Sequence, residues 1–486
     1  VKYQYLHRKI YIKKLINYNS LMSEQTEDLK KGAISLWHAL AQGLGMNGPA
    51  GVVALYYVGL AGLVGGAMPL DVLLAWLIYL AMTIPLYEWS KIVAASYSWA
   101  AIQKRAWGSG TSLFAAVTYW YYYMTGLAGF AILGLTSFVY LLFPSIASAY
   151  PWLWIPIVVF VVLEISILTY LGIKPSTSYV LYTGIAEVAF LIITSLALVF
   201  FAGSNNTLAV FTPAPVNWNW VLIGVSMIFG ITTFGGMNGI IPVAEETKDP
   251  KKNVPKALAY LSLILGFTLI LGAYAQTVIY GPANMFNYAT LPDPGIIIYL
   301  KYFGIVGAAL LAIFVINSYN SSAVSFANNA IRMAYGTGRD GLLFPKSLLK
   351  INKHGVPGNL VWFTAILTIV VAIAAGEILG PLMGGIFLIT SNAFFSYINH
   401  MLAAAGIAKY HYGKPTFKWF RHLIIPIIVI VSLAAAIILA VYPAPAPPLN
   451  YAAYVAGAYV VVFFIIYAIV RAKYKDRLEK FGDFSL

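Results

Sequence analysis

The chain has no cysteine, few acids and little charge of any kind. Without cysteine there is no disulfide framework and no thiolate metal site. Charged residues make up only 9% of 486, too few to cover a soluble protein of this size, whereas a bilayer accepts an apolar exterior. The six histidines, His7, His38, His354, His400, His411 and His422, form no pair at metal-ligand spacing. Neither a nucleophile motif nor a phosphate loop is evident, so the chain reads as no enzyme and calls for no cofactor and no metal. A channel would need a selectivity loop or a continuous polar lining, and neither repeats here.

What is present is 60% hydrophobic residues, gathered into runs that read as an all-α polytopic membrane protein of 12 transmembrane helices. Spans 1 to 12 are predicted at about 35–64, 69–90, 111–142, 152–171, 178–202, 219–245, 255–281, 299–334, 358–378, 382–408, 422–442 and 451–471. Spans 1, 3, 6 and 8 exceed the roughly 20 residues of a straight crossing, which suits tilted or broken helices.

Basic residues set the orientation. Lys2, Arg8, Lys9, Lys13, Lys14, Lys30 and Lys31 precede span 1, and Arg471, Lys473, Lys475, Arg477 and Lys480 follow span 12. Alternate loops carry most of the rest, while the Tyr442–Pro448 loop between spans 11 and 12 is chargeless. Both termini are therefore expected in the cytoplasm and the protein in the plasma membrane. The formal charge of +14 is then a topology signal in a lipid bilayer and does not point to nucleic acid. Residues 1–31 form a basic N-terminal segment. Within it, Val1–Leu21 reads either as an addition ahead of a start at Met22 or as a basic tail on anionic lipid. Residues 32–471 form the transmembrane domain, with spans 1–5 at about 35–202, spans 6–10 at about 219–408 and spans 11–12 at about 422–471. Residues 472–486 form a cytoplasmic tail.

Two spans interrupt themselves with glycine at matching places in the two halves, Gly43-Leu44-Gly45-Met46-Asn47-Gly48-Pro49-Ala50-Gly51 and Gly230-Ile231-Thr232-Thr233-Phe234-Gly235-Gly236-Met237-Asn238-Gly239. Such paired breaks point to the substrate site of a secondary transporter, because unwound backbone at mid-membrane needs polar company. Pro49 removes a donor, and the glycines weaken the helix, so unwinding is expected near Asn47 to Gly51. The half-helix that follows would aim free N–H groups and its positive end at a substrate carboxylate, while carbonyls around Ile231 to Phe234 could accept an ammonium. Glycines also let membrane helices approach closely, which is the plainer explanation.

The run Phe234-Gly235-Gly236-Met237 to Ala244-Glu245-Glu246-Thr247-Lys248-Asp249-Pro250-Lys251-Lys252-Asn253-Val254-Pro255-Lys256-Ala257 resembles the helix 6 to helix 7 signature of the amino acid–polyamine–organocation permeases. Arg332-Met333-Ala334-Tyr335 with Arg339 to Pro345 is similar to that family's loop after helix 8, and Gly43 to Gly51 to its helix 1 motif. The resemblance implies a leucine-transporter-type five-plus-five inverted repeat with helices 1 and 6 broken and two helices added. It places substrate contacts at Met46, Asn47, Gly48, Ala50 and Gly51, at Tyr122, Thr125 and Gly126 of span 3, and at Phe229, Thr232, Thr233, Phe234, Gly235, Gly236 and Asn238. Thr232 stands where the family commonly has a closing aromatic, so either Phe229 or Phe234 closes the pocket or the pocket stays roomier.

Buried carboxylates at bilayer depth are costly, so Glu164 and Glu187 stand out. Glu187 falls where proton-coupled members often carry a lysine, and a glutamate there must attract a cation, either a proton or Na⁺. Ser321 and Ser322 lie at about the hydroxyl pair that holds the ion in sodium-coupled relatives. Glu88, Glu164, Glu245 and Glu246 read as gating or structural charge, the last two among Lys248, Lys251 and Lys252. The expected function is proton-coupled transport of a neutral or aromatic amino acid. The alternatives are a sodium-coupled symporter or exchanger of amino acids or amines, and a nutrient sensor that binds without turnover.

Overall fold

The computed structural model describes residues 28–442 and 445–486. The expectations for residues 1–27, including the start at Met22, lie outside the described residues, as do Pro443 and Ala444 of the chargeless loop. Among the described residues the chain is almost wholly helical, and its β-pairings are isolated bridges, Ile34 with Thr247 and Ile351 with Pro357.

Nine helical stretches among the described residues are long and apolar enough to cross a membrane, and Trp154–Tyr170 is a shorter apolar helix. Length and apolarity do not by themselves return twelve. Leu36–Ser90 counts as one stretch although it turns at Gly65–Ala67, and the sixth run divides into Trp220–Thr233, Met237–Ile240 and the tight turn Ile241–Glu246. Phe160, Ile193, Phe200, Val221, Ile305, Ile366, Ile378 and Phe464 stand exposed, an exterior that fits lipid and would not fit water.

Proline marks helix starts at Pro49, Pro144, Pro250, Pro294 and Pro381, where its missing N–H would have had no intrahelical acceptor. Several boundaries move from their expected places, span 7 beginning at Pro250. Span 5 begins at Ile173, and the stretch Pro294–Arg339 that holds span 8 is two helices that meet at a non-helical Gly304 (φ 67°, ψ −169°). A helix at Ser98–Trp107 follows span 2, too short and too polar to register as an apolar run.

Span 3, Ser109–Leu142, is the central post, packed along span 8 and along span 10, Pro381–His411. Large side chains cross between helices over glycine, Phe326 on Gly126, Trp76 on Gly266 and Trp154 on Gly376. This packing holds span 3 and span 8 as a scaffold beside the broken spans 1 and 6.

Candidate substrate and coupling site

Both expected helix breaks exist, and they touch. Span 1 stops at Asn47, Gly48 takes left-handed angles (φ 63°, ψ 67°), and the helix resumes at Pro49. The unwinding is thus a single residue, shorter than the expected Asn47 to Gly51 stretch, because Gly48 reverses the chain at once and Pro49 is suited to begin a helix. A π-helical turn over Val52–Tyr56 then loosens the resumed helix. Span 6 stops at Thr233, Phe234 is extended, and Gly236 (φ 97°) restarts it at Met237. A Cβ on Gly236 would lie 2.2 Å from the Gly43 carbonyl oxygen, so backbone meets backbone there.

The N–H groups of the resumed helix are already held. Ala50 N–H donates to Glu187 Oε1 at 2.8 Å and to Ser318 Oγ at 3.1 Å, and Gly51 N–H donates to Ser318 Oγ at 3.3 Å. The Ser318 hydroxyl donates to Glu187 Oε1 at 2.5 Å, and the Asn317 amide to Glu187 Oε2 at 3.1 Å. The sequence left these N–H groups open for a substrate carboxylate. Here the chain's own groups occupy them, because a positive helix end and a buried acceptor satisfy each other at once. Ser318 and Asn317 are contacts the sequence reading passed over. They lie inside the polar patch 317–322, and the spacing 318, 322, 325 places serines on one face of span 8.

Ser322 donates to the Gly45 carbonyl at 2.8 Å, and the buried Ser321 Oγ has the Tyr179 hydroxyl within reach, short of a well-formed hydrogen bond. Glu164 is half-buried and joined to the same patch. The Asn317 side-chain Oδ1 accepts from the Tyr179 hydroxyl, Asn320 donates to that Tyr179 oxygen at 3.0 Å, and the Asn320 side chain reaches Glu164.

At the sixth span the acceptors are partly taken too. The Asn47 amide donates to the Thr233 carbonyl at 3.0 Å, and the Tyr79 hydroxyl to the Gly235 carbonyl at 2.5 Å. Asn47 Oδ1 remains buried without a partner. Gly235 has ordinary clearance, its nearest neighbours for a Cβ being Asn47 and Met46 at 3.7 and 3.8 Å. Phe234 is buried against Tyr79, whereas Phe229 is exposed, so Phe229 has the freedom to cover a pocket. Thr232 is exposed and hydrogen-bonds to Tyr56 of span 1, and Thr233 hydrogen-bonds to the Phe229 carbonyl. A buried carboxylate missed in the sequence, Asp71 of span 2, takes a hydrogen bond from Ser226 while its Oδ2 has no partner. Its place in the first turn of its helix gave it an ordinary explanation.

Span 3 faces this region with rings. Tyr122 accepts from the Asn238 amide at 3.2 Å, and that amide also reaches Ser396 at 3.0 Å. Asn238 Oδ1 receives Tyr119 and His400 Nε2, and its carbonyl receives Tyr123. Asn238 is therefore a filled hub. Thr125 hydrogen-bonds to the Tyr121 carbonyl of its own helix, and Gly126 lies under Phe326, so both are occupied in packing.

Toward the face bearing the lysines and arginines, ion pairs close the bundle. Glu246 pairs with Arg332, both about 1% exposed, and Arg339 pairs with Glu245 at 2.7 Å. The expected partners Lys248, Lys251 and Lys252 stay exposed, which is a correction. Two-pronged guanidinium groups match a buried carboxylate better than a hydrated ammonium does. Ser96 N–H also donates to Glu245 at 3.0 Å. Glu88 pairs with Lys91 and Arg421, each at 3.1 Å. Burial lifts the Asp340 carboxyl above the usual range, against the opposing pull of the Tyr97 hydroxyl and the Gly482 N–H.

The profile of the amino acid permease family matches residues 34–465, and the chain belongs to that family, within the amino acid–polyamine–organocation permeases. It is similar to the D-serine/D-alanine/glycine transporter of Escherichia coli K12, 24% identical over 53% of this chain and 55% of that one. It is 31% identical to the branched-chain amino acid permease BcaP of Lactococcus lactis over 30% of each chain. These matches span about half or less of the relatives' length. A substrate-bound, outward-open Na⁺-coupled sialic acid symporter has a similar fold, with TM-score 0.52 at 15% identity over 84% of this chain and 91% of that one. The chain is thus a multi-pass membrane protein of the amino acid permease family, with the leucine-transporter type of fold.

Proposed function

We propose, from that membership, that the protein is a secondary active transporter of neutral amino acids, working by alternating access around the Gly48 and Gly235 breaks and coupled to protons through Glu187. The observation that carries this reading is the Glu187 carboxylate on the Ala50 N–H. A substrate carboxylate would seek the same positive helix end, and two anions there repel. A proton on Glu187 removes that repulsion, so proton and substrate favour each other's binding, which is what symport requires. Asn47 Oδ1 offers an acceptor for the substrate ammonium beside Gly235. Among the described residues Asp71 takes Ser226 on one oxygen and leaves the other without a partner against Gly230, before the break, so it is not assigned to the substrate and neutral side chains are proposed. Met46, Ala50, Gly51, Tyr122, Phe229 and Thr232 complete the proposed lining, and the basic face is assigned to the cytoplasm of a plasma-membrane protein.

A second reading, sodium coupling, is favoured by the buried Ser321 hydroxyl, without a well-formed hydrogen bond, next to Ser322 and its Gly45 carbonyl. Purified protein in proteoliposomes, given labelled neutral amino acids under an imposed pH gradient or a Na⁺ gradient at constant pH, separates them. Uptake driven by protons alone is expected. Uptake that needs Na⁺ at constant pH selects the second reading, and binding without uptake under either gradient selects the sensor.

A further inference from the structure

Residues 475–486 do not hang free below the membrane domain. A short helix, Lys475–Lys480, turns the chain back, burying Leu478 and Phe481. Gly482 N–H donates to Asp340 Oδ2 at 3.0 Å, the same oxygen that takes the Tyr97 hydroxyl at 2.7 Å. Ala94 N–H donates to Ser485 Oγ at 2.8 Å, and Leu486 N–H to the Ala94 carbonyl at 2.9 Å. Arg477 donates to the Gly341 carbonyl at 3.1 Å. The segment thus ties the loop after span 2 to the end of span 8.

Its centre is Phe484, whose ring lies 3.6 Å from the Arg339 guanidinium carbon. Arg339 is the partner of Glu245, on the half of span 6 that must part from span 8 if the site is to open on this side. The ring stacks over the guanidinium, which restricts its direction and shields it from water. We propose that residues 475–486 are a strap that holds Arg339 against Glu245 and keeps the basic face closed, so that release of the strap precedes opening on that side. The strap rests on the alternating-access reading above.

The absence of cysteine makes a clean test available. Ser325 is fully buried under span 1, its carbonyl held by Gln42, and becomes reachable only when spans 1 and 8 separate. In the Ser325→Cys chain, the rate of labelling by a small water-soluble thiol reagent reports that opening. Phe484→Ala is expected to raise the rate about three- to tenfold, the shift in a two-state equilibrium from losing one partly buried cation–π contact. Phe484→Trp should leave it near the starting value, and deletion of 475–486 should raise it at least as far as alanine does. Equal rates in the parent and Phe484→Ala chains, both monodisperse, overturn the strap. Counterflow of amino acid by the same proteins is scored separately. Faster labelling without any carriage supports the strap and fails the transport reading, while unchanged labelling with intact carriage overturns the strap alone.

Discussion

Substituting Glu187 by glutamine and by alanine separates its charge from its hydrogen bonds. The carboxylate accepts from Ala50 N–H, Ser318 and Asn317. Glutamine can keep one oxygen toward Ala50 and Ser318, but it sets an NH₂ against the Asn317 amide, a loss of about 1–2 kcal/mol. Alanine leaves the Asn317 amide without this acceptor, at about 1–3 kcal/mol, and adds a cavity, at about 2–5 kcal/mol, about 3–8 kcal/mol together, while Ala50 N–H keeps the Ser318 hydroxyl. Stability should fall in the order parent, Gln, Ala, read from denaturant titration in mixed micelles. Transport separates the variants differently. One proton per substrate makes each unit of pH difference worth about 1.4 kcal/mol, or about tenfold accumulation. The parent should approach that ratio in proteoliposomes. Glu187→Gln should bind and exchange substrate across the membrane yet accumulate none, since its side chain is neutral throughout. A glutamine variant that still accumulates in step with the pH gradient refutes Glu187 as the coupling site, and an alanine variant as stable as the glutamine one refutes the hydrogen-bond assignment.

The two break glycines should behave differently. Gly48→Ala must adopt the left-handed angles, about 1–2 kcal/mol, with its Cβ 3.1 Å from Ser322 Oγ, so melting temperature and binding should both drop. Gly235→Ala has 3.7 Å of clearance and should fold normally while losing ligand-induced thermal stabilisation, because its methyl enters the proposed substrate space; the reverse ranking would move the site elsewhere. Arg332→Ala leaves the buried Glu246 charge unpaired, which should cost about 3–5 kcal/mol. In a double-mutant cycle with Glu246→Ala the double variant should be much less destabilised than the sum, and additive losses would show that the pair does not act as a unit.

The breaks themselves were legible, because glycine and proline act on the backbone at their own positions whatever surrounds them. Gly48 and Gly236 sit where the chain departs from helix, and the charge asymmetry and apolar runs mark a polytopic membrane protein without any tertiary information. Glu187 stood out for the same reason, an ionisable group inside a hydrophobic run. The partners were another matter. Ser318 is separated from Glu187 by 131 positions, and Asn238 from His400 by 162, and no periodicity within one helix states which face of another it will meet. The choice of Arg332 and Arg339 over the nearer lysines was likewise invisible, since neighbours in sequence at a helix end point outward while residues from a distant span point in.

Sequence alone determined the environment, the family signature and the places where helices fail, because each depends on composition or on local backbone chemistry. Tertiary structure decided what fills those failures. It placed the chain's own carboxylate on the N–H groups of span 1, the Asn47 amide on the carbonyl of span 6, and the tail across the Arg339 and Glu245 pair. The first two are buried polar groups finding their nearest complement, and the third is an aromatic ring stacked on a guanidinium. In a low-dielectric interior an unmade hydrogen bond costs more than a made one returns, so three-dimensional proximity, set by packing of whole helices, overrides every local preference.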